Sequence, residues 1–322
     1  MRRRAAVFLA GPALFGAASA RAQPAWPERA VTLVVCFPPG GSNDVAARLI
    51  AQPLSEAFGR PFVVENRPGA GGNIGIGAVA RAQPDGHTLL VCSSAFVVNP
   101  GLYARVPYDP VRDFAPVSTL SASPNVFAVR AASPFRSLTE VLAAARAAPD
   151  RLNYASSGVG TTPHLTGELL KLRAGAPMQH IVFAGAGPAT QATLAGTVEL
   201  LTANQGSVEP QLRSGQLRPL AQTGATRAVD MPDVPTLAEL GFPGLESDTF
   251  VGLWAPAGTP TATLARLAGA VGNALRRPEL AERFRVAGIP VVADGPDGLR
   301  ARVAREVPLW RDVVREAKIA AE

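Results

Sequence analysis

The chain has 322 residues, 47% hydrophobic and 17% charged, a balance that builds a packed core and excludes an intrinsically disordered chain. Its formal charge of +6 overstates its basicity, because Arg2, Arg3, Arg4 and Arg21 lie in an N-terminal leader whose removal takes away four of those charges. The other arginines are scattered, many beside acids as in RPELAERFR (277–285), which is the pattern of a solvated helix face and excludes a nucleic-acid-binding surface.

Residues 1–22 read as a secretory signal peptide: a basic head at Arg2–Arg4, a small apolar stretch from Ala5 to Ala20, and the cleavage pattern Ala20-Arg21-Ala22. The apolar stretch is shorter than the ~20 residues of a membrane span, and Gly11, Pro12 and Gly16 interrupt it. Gln23 is the expected new N-terminus and the periplasm the expected compartment, with the Sec and twin-arginine routes both open. No later apolar run reaches spanning length, so a soluble mature protein is expected.

Strand-like and helix-like runs then alternate. A strand over 31–37 leads through the turn 38–43 into a helix over 44–58 that Gly59 stops. A strand over 61–65, the turn RPGAGGN (67–73) and a helix near 74–82 follow, then a strand over 87–92 and a Pro- and Asp-rich surface segment over 99–116. VFAVR (126–130) reads as a strand, and 137–149 as a helix with Ser137 at the N-cap and Glu140 at the capping-box position. LNYASSGVGTTPHLTGELLK (152–171) and HIVFAGAGPATQATLAG (180–196) are two more strand–turn–helix units. Strands over 198–204 and 217–224, a Pro-rich stretch (231–244), TFVGLWAPAGTP (249–260) and helices near 261–276, 278–287 and 297–317 complete the chain, with a kink or new start expected at Pro308. Such alternation predicts an α/β fold with mostly parallel sheets, arranged as two compact lobes joined by extended crossings.

Three of these units place a Gly-rich turn between a strand and a helix start, where unpaired N–H groups and the positive helix end suit an anion. In the first, Pro38 and Pro39 stiffen the turn, Gly40 and Gly41 admit close backbone approach, Ser42 and Asn43 are donors, and Asp44 is a helix cap. None of the three has a nucleophile, a base or a metal cluster beside it. GAGGNIG (69–75) has Ile74 where a dinucleotide-binding turn needs glycine, there is no GxSxG elbow, and His87, His164 and His180 have no evident Asp partner. A binder without cofactor is therefore expected, not an enzyme. Cys36 and Cys92 each close an apolar strand, which leaves two readings open: a disulfide in an oxidising compartment, or two buried thiols.

The runs VVCFPPGGSND (34–44), VVENRPGAGGNIG (63–75), PDGHTLL (84–90), YDPVRDFAPVS (108–118), LNYASSGVGT (152–161), LRPLA (217–221), MPDVPTLAELG (231–241) and APAGTP (255–260) stand in one order. In that order the chain resembles the substrate-binding proteins of tripartite tricarboxylate transporters, the Bug family, over essentially its whole mature length. The resemblance implies a type II periplasmic binding protein, with 27–123 plus 250–322 as one lobe, 124–249 as the other, and hinges near 120–126 and 246–252. It implies a monomer that binds a small carboxylate in the cleft and presents it to membrane transporter subunits or, alternatively, to a sensor receptor. The implied contacts are Phe37, Pro38, Gly40, Gly41, Ser42 and Asn43, with Ser93 and Ser94, on the first lobe. On the second they are Ser157, Gly160, Thr161 and His164, Ala184 and Gly185, and Asn204. Asp44 and Thr162 are read as caps; Ser42, Thr161 and Asn204 are read as ligand contacts.

Two departures from the family's pattern shape the expected ligand. Many members carry Y-K-G where this chain has Phe183-Ala184-Gly185, and D-N where it has Ala203-Asn204. A lysine, a phenol and an acid are thus missing, while Phe96 after the third strand adds a ring. A monocarboxylate with an aromatic or apolar body is expected over citrate or aspartate.

Overall fold

A computed structural model describes residues 26–320, so the leader and its cleavage site lie outside the described residues. The first half holds β1 (Val31–Val35), α1 (Ser42–Phe58), β2 (Phe62–Asn66), α2 (Asn73–Ala80), β3 (Thr88–Ser93) and α3 (Ala95–Leu102). β1 lies between β2 and β3, parallel to both, with Thr32 opposite Val63 and Thr88. Helices cover this sheet on two faces, which is why VTLVV is buried at every position but Thr32 and not at alternate ones. Gly59 ends α1 as expected, in the left-handed conformation (φ 64°), with its N–H donating to Ser55 O at 2.9 Å.

Helix α3 replaces the start of the expected surface segment. Pro100 inside it has no N–H for the carbonyl of Phe96, and the Tyr108 hydroxyl donates to that carbonyl instead, at 3.1 Å. Phe96 itself is fully buried and stacked on Trp254 with centroids 4.3 Å apart.

The chain continues with β4 (Phe114–Arg130), α4 (Leu138–Ala147), β5 (Asn153–Ser156), α5 (Thr162–Ala174), β6 (Gln179–Val182), α6 (Ala186–Ala195), β7 (Leu200–Asn204), α7 (Gln205–Arg213) and β8 (Leu217–Gln222). It ends with β9 (Asp248–Pro256), α8 (Thr261–Leu275), α9 (Pro278–Val286) and α10 (Gly295–Glu316). Ser137 caps α4 by accepting from Glu140 N at 3.2 Å, and Glu140 reaches back to Arg136 N at 2.7 Å. α7 was not legible as a helix, and α10 runs through Pro308 as one element without a new start.

Among the described residues the strands form one nine-stranded sheet in the order β2-β1-β3-β9-β4-β7-β5-β6, with β8 also on β4. The pairs that build each lobe, β1 with β2 and β3 and β5 with β6 and β7, are parallel. Every antiparallel pair involves β4 or β9, the long strands that pass from one lobe to the other. β4 pairs with β9 up to Pro124 and with β7 and β8 beyond it. The result is the expected two-lobed α/β architecture.

One apolar cluster joins the lobes, with Val34, Phe96 and Trp254 in the same core as Phe127, Tyr154 and Leu165. Cys36 and Cys92 follow the paired residues Val35 and Val91 and are free buried thiols, the second of the two readings. Burial, with Cys92 alongside, pushes the Cys36 thiol well above its ordinary range, so it stays protonated.

Candidate ligand-binding cleft

A cavity of about 520 Å³ lies where the lobes meet, and the first residues of five helices line it. Gly41 and Ser42 bring α1, and Ser94 and Ala95 bring α3. Thr161 and Thr162 bring α5, Ala186 brings α6, and Asn204, Gly206 and Ser207 bring α7. Each helix start directs unsatisfied N–H groups, and roughly half a positive charge, toward the space. Among the described residues no Lys, Arg, His, Asp or Glu lines the cavity.

The β1–α1 turn is built around Asp44. Gly40, at φ +87°, donates its N–H to Asp44 Oδ2 at 3.0 Å, and Arg48 Nε donates to the same oxygen at 2.9 Å. Asn66 Nδ2 donates to Asp44 Oδ1 and to Phe37 O, both at 3.0 Å. Burial pushes the Asp44 carboxyl up, but these hydrogen bonds and the Arg48 charge outweigh it and hold the group below its ordinary value. Asp44 is therefore not the expected helix cap: Gly41 holds the N-cap position with no side-chain cap, and Asp44, in the first turn of α1, ties the preceding loop down instead. Only Gly40 needs glycine's freedom, because Gly41 sits at φ −79°. Phe37, Gly40, Gly41 and Ser42 line the cavity, whereas Pro38 faces solvent and Asn43 is buried in the protein. Asn43 leaves the site because the first turn of α1 directs it inward, and Pro38 because it sits on the solvent side of the loop before that helix.

On the second lobe, Ser157, Gly160, Thr161 and Thr162 line the cavity, but the cap of α5 is Thr161 and not the expected Thr162. Thr161 is the N-cap of α5: its hydroxyl donates to Gly158 O at 2.8 Å and accepts from His164 N at 3.5 Å. Thr162 instead pairs its hydroxyl with Thr249 of β9 at 2.5 Å. His164 is 4% exposed and does not line the cavity, because its Nδ1 turns back to accept the Gly160 N–H at 3.0 Å. That bond leaves the imidazole proton on Nε2.

The His164 ring stacks on His180 at 4.0 Å, and His180 Nε2 lies 2.7 Å from Ser156 Oγ. Burial, then the neighbouring His180 and Lys171, pushes His164 down to about 3; burial above all pushes His180 down to about 4. Both rings are therefore neutral at physiological pH.

Asn204 lines the cavity, with its Nδ2 anchored to Ser123 O of β4 at 3.0 Å. Ala184 and Gly185 do not line it: the β6–α6 turn stays at the edge, and only the helix start at Ala186 reaches in. Ser93 and Ser94 line it, and Ser94 Oγ accepts from Phe250 N at 3.1 Å. Phe96 points into the core, so it adds no ring to the wall. The rings present are Phe37 and Tyr103. Tyr103 restores a phenol to the cleft from an unforeseen position. Its hydroxyl lies so close to Gly71 (φ +62°) that a Cβ there would come within 2.3 Å.

Sequence reasoning also missed Asn99, Leu102, Ser207, Thr249, Val251 and the 287–289 segment. The signal available for Thr249 and Val251 was their place in an apolar crossing strand, TFVGLW.

A family model described as tripartite tricarboxylate transporter family receptor matches residues 46–319. The chain is 39% identical over 317 residues to the UPF0065 protein in the tcbD-tcbE intergenic region of Pseudomonas sp. (strain P51), covering 97% of this chain and 94% of that one. Among solved structures it is similar to R. palustris Rpa4515 with adipate, at 35% identity and TM-score 0.79, covering 92% of this chain and 99% of that one. It is similar as well to MatC (Rpa3494) from Rhodopseudomonas palustris with bound malate, at 34% identity and TM-score 0.75, covering 90% and 100%.

Proposed function

The chain belongs to the tripartite tricarboxylate transporter receptor family, whose members are substrate-binding proteins and not enzymes, and we propose that it captures a small organic carboxylate in the periplasm for uptake by membrane subunits of that transporter type. The observation that carries this reading is the convergence of five helix starts on one cavity whose described lining bears no charged side chain. A carboxylate there is held by backbone N–H groups and by hydroxyls such as those of Ser42, Ser157 and Ser207. The two similar proteins solved with adipate and malate support the ligand class.

The ligand is, further, a monocarboxylate with an apolar or aromatic body. Val45, Leu102, Val159, Val251 and Ile289, with the Phe37 and Tyr103 rings, offer it an apolar wall. The lobes are 27–123 plus 250–322 and 124–249, and they swing about β4 and β9. Ligand that touches both walls favours the closed arrangement by its differential contacts.

A thermal-shift series with hexanoate, benzoate, adipate, malate and citrate tests both levels. A ligand at 100 times its Kd stabilises the folded chain by about 2.7 kcal/mol. Hexanoate or benzoate is expected to give the largest shift. Tight citrate binding with no shift from either would overturn the apolar monocarboxylate, and no shift from any acid would overturn the carboxylate reading.

A further inference from the structure

The two walls of the cleft touch, and one of their contacts contains no side chain. Gly206 is the second residue of α7, Gly288 closes the turn after α9, and both line the cavity. A Cβ on Gly206 would lie 2.0 Å from Gly288 O and 2.7 Å from its carbonyl carbon. A Cβ on Gly288 would lie 2.8 Å from Gly206 Cα. Backbone therefore rests on backbone.

A second contact across the cavity is softer. A Cβ on Gly160 would come within 2.2 Å of Leu102 Cδ2, but that atom is the end of a side chain that can rotate away. Nothing at Gly206–Gly288 can do so. A Cβ essentially never sits closer than 3.0 Å to another heavy atom, so any added Cβ must push the walls apart by about 1 Å or more. The contact also lies beside the crossing. Asn204 pairs with Asn125 of β4, and Ala122 of β4 donates its N–H to Pro290 O at 3.1 Å. Thickness added so near the pivot tilts one lobe on the other and widens the far side of the cavity most.

We propose that the Gly206–Gly288 backbone contact is the spacer that sets how closely the walls approach, and so the size of carboxylate the cleft holds. The inference rests on the carboxylate-binding reading above. Gly206 does not need a left-handed backbone, unlike Gly288 at φ +71°. Gly206→Ala therefore adds one methyl without backbone strain, at a helical position where alanine is favoured over glycine. Gly269→Ala at an exposed position of α8, with nothing within 4 Å of its Cβ, is the same change without a wedge.

The test titrates malate and adipate into the parent chain, Gly206→Ala and Gly269→Ala. In parallel it measures nitroxide distances between Val286→Cys and Ser214→Cys labels, both exposed sites, in a chain whose native thiols are buried. Gly206→Ala is expected to weaken malate about tenfold or more and the longer adipate less, and to lengthen the shortest label distance; Gly269→Ala changes neither. Equal affinities and an unchanged shortest distance would overturn the spacer and leave the carboxylate reading standing. If the parent binds neither acid, it is the carboxylate reading that falls for these probes. The label distance then decides the spacer alone: lengthened supports it, unchanged overturns it.

Discussion

Two turns on opposite walls of the cleft are built by one device with two different chemistries. In each, a glycine at positive φ (Gly40 at +87°, Gly160 at +74°) donates its N–H to a side chain four residues later, at 3.0 Å. On the first wall the acceptor is the Asp44 carboxylate, held by Arg48 and Asn66. On the second it is the neutral His164 imidazole, stacked on His180. The lesson is that shaping an anion cradle and holding an anion are separate tasks. The side chain that fixes the loop is turned away from the cavity, and the helix starts face it.

Removing the acceptor breaks each device, and the charged one suffers more. Asp44→Ala leaves the Gly40 N–H, Asn66 and Arg48 without their shared acceptor and is expected to cost about 3 kcal/mol in chemical denaturation. A loss under ~1 kcal/mol would mean the network does not hold the turn. His164→Ala orphans only the Gly160 N–H and opens a small cavity, for an expected loss of about 2 kcal/mol with weakened ligand binding.

Acid separates the two devices. His164 and His180 have folded pKa values below the unfolded ~6.5, so the unfolded chain takes up protons first as pH falls. Their contribution to stability is complete above pH ~6.5 and is lost as pH falls toward about 3 to 4, by up to ~1.4 kcal/mol per pH unit for each ring. Asp44, also depressed, begins to lose its contribution only below pH ~3.9. Denaturation midpoints between pH 7 and 4.5 are thus expected to fall in the parent and to fall less steeply in His164→Asn. An unchanged slope in that variant would assign the effect elsewhere.

The smallest expected effect on folding is that of Gly41→Val. Its Cβ would meet only Pro38 O at 3.9 Å, and its backbone is extended, so stability should change by about 1 kcal/mol or less. Binding should nevertheless fall, since the new side chain stands at a cavity-lining position. Retained affinity would remove this turn from the cradle.

How legible each wall was in the sequence follows from local signal. The β1–α1 unit could be read from its apolar strand, its Gly-rich turn and Gly59, all local features. Its counterpart at 152–171 was read the same way, although the partner of the Thr162 hydroxyl is Thr249, which lies 87 residues away. Helix α3 was missed because Asn99 and Pro100 read as loop, while its stability comes from burying Phe96, Val97 and Val98 and from the distant Tyr108 hydroxyl. Helix α7 was missed because QGSVEPQLR is short, polar and carries Pro210, and it buries little beyond Val208. His164 stands among the contacts that the family resemblance implies; only its burial beside His180 shows that it serves the loop.

On the proposed function, helix starts in a cleft without charged lining side chains recognise the charge of a carboxylate. Calorimetric titration of hexanoate against hexanamide, and of adipate against adipamide, tests it directly, since each pair shares shape and differs in charge. Heat of binding is expected for at least one acid and none for its amide at the same concentrations. Equal binding of acid and amide would contradict it.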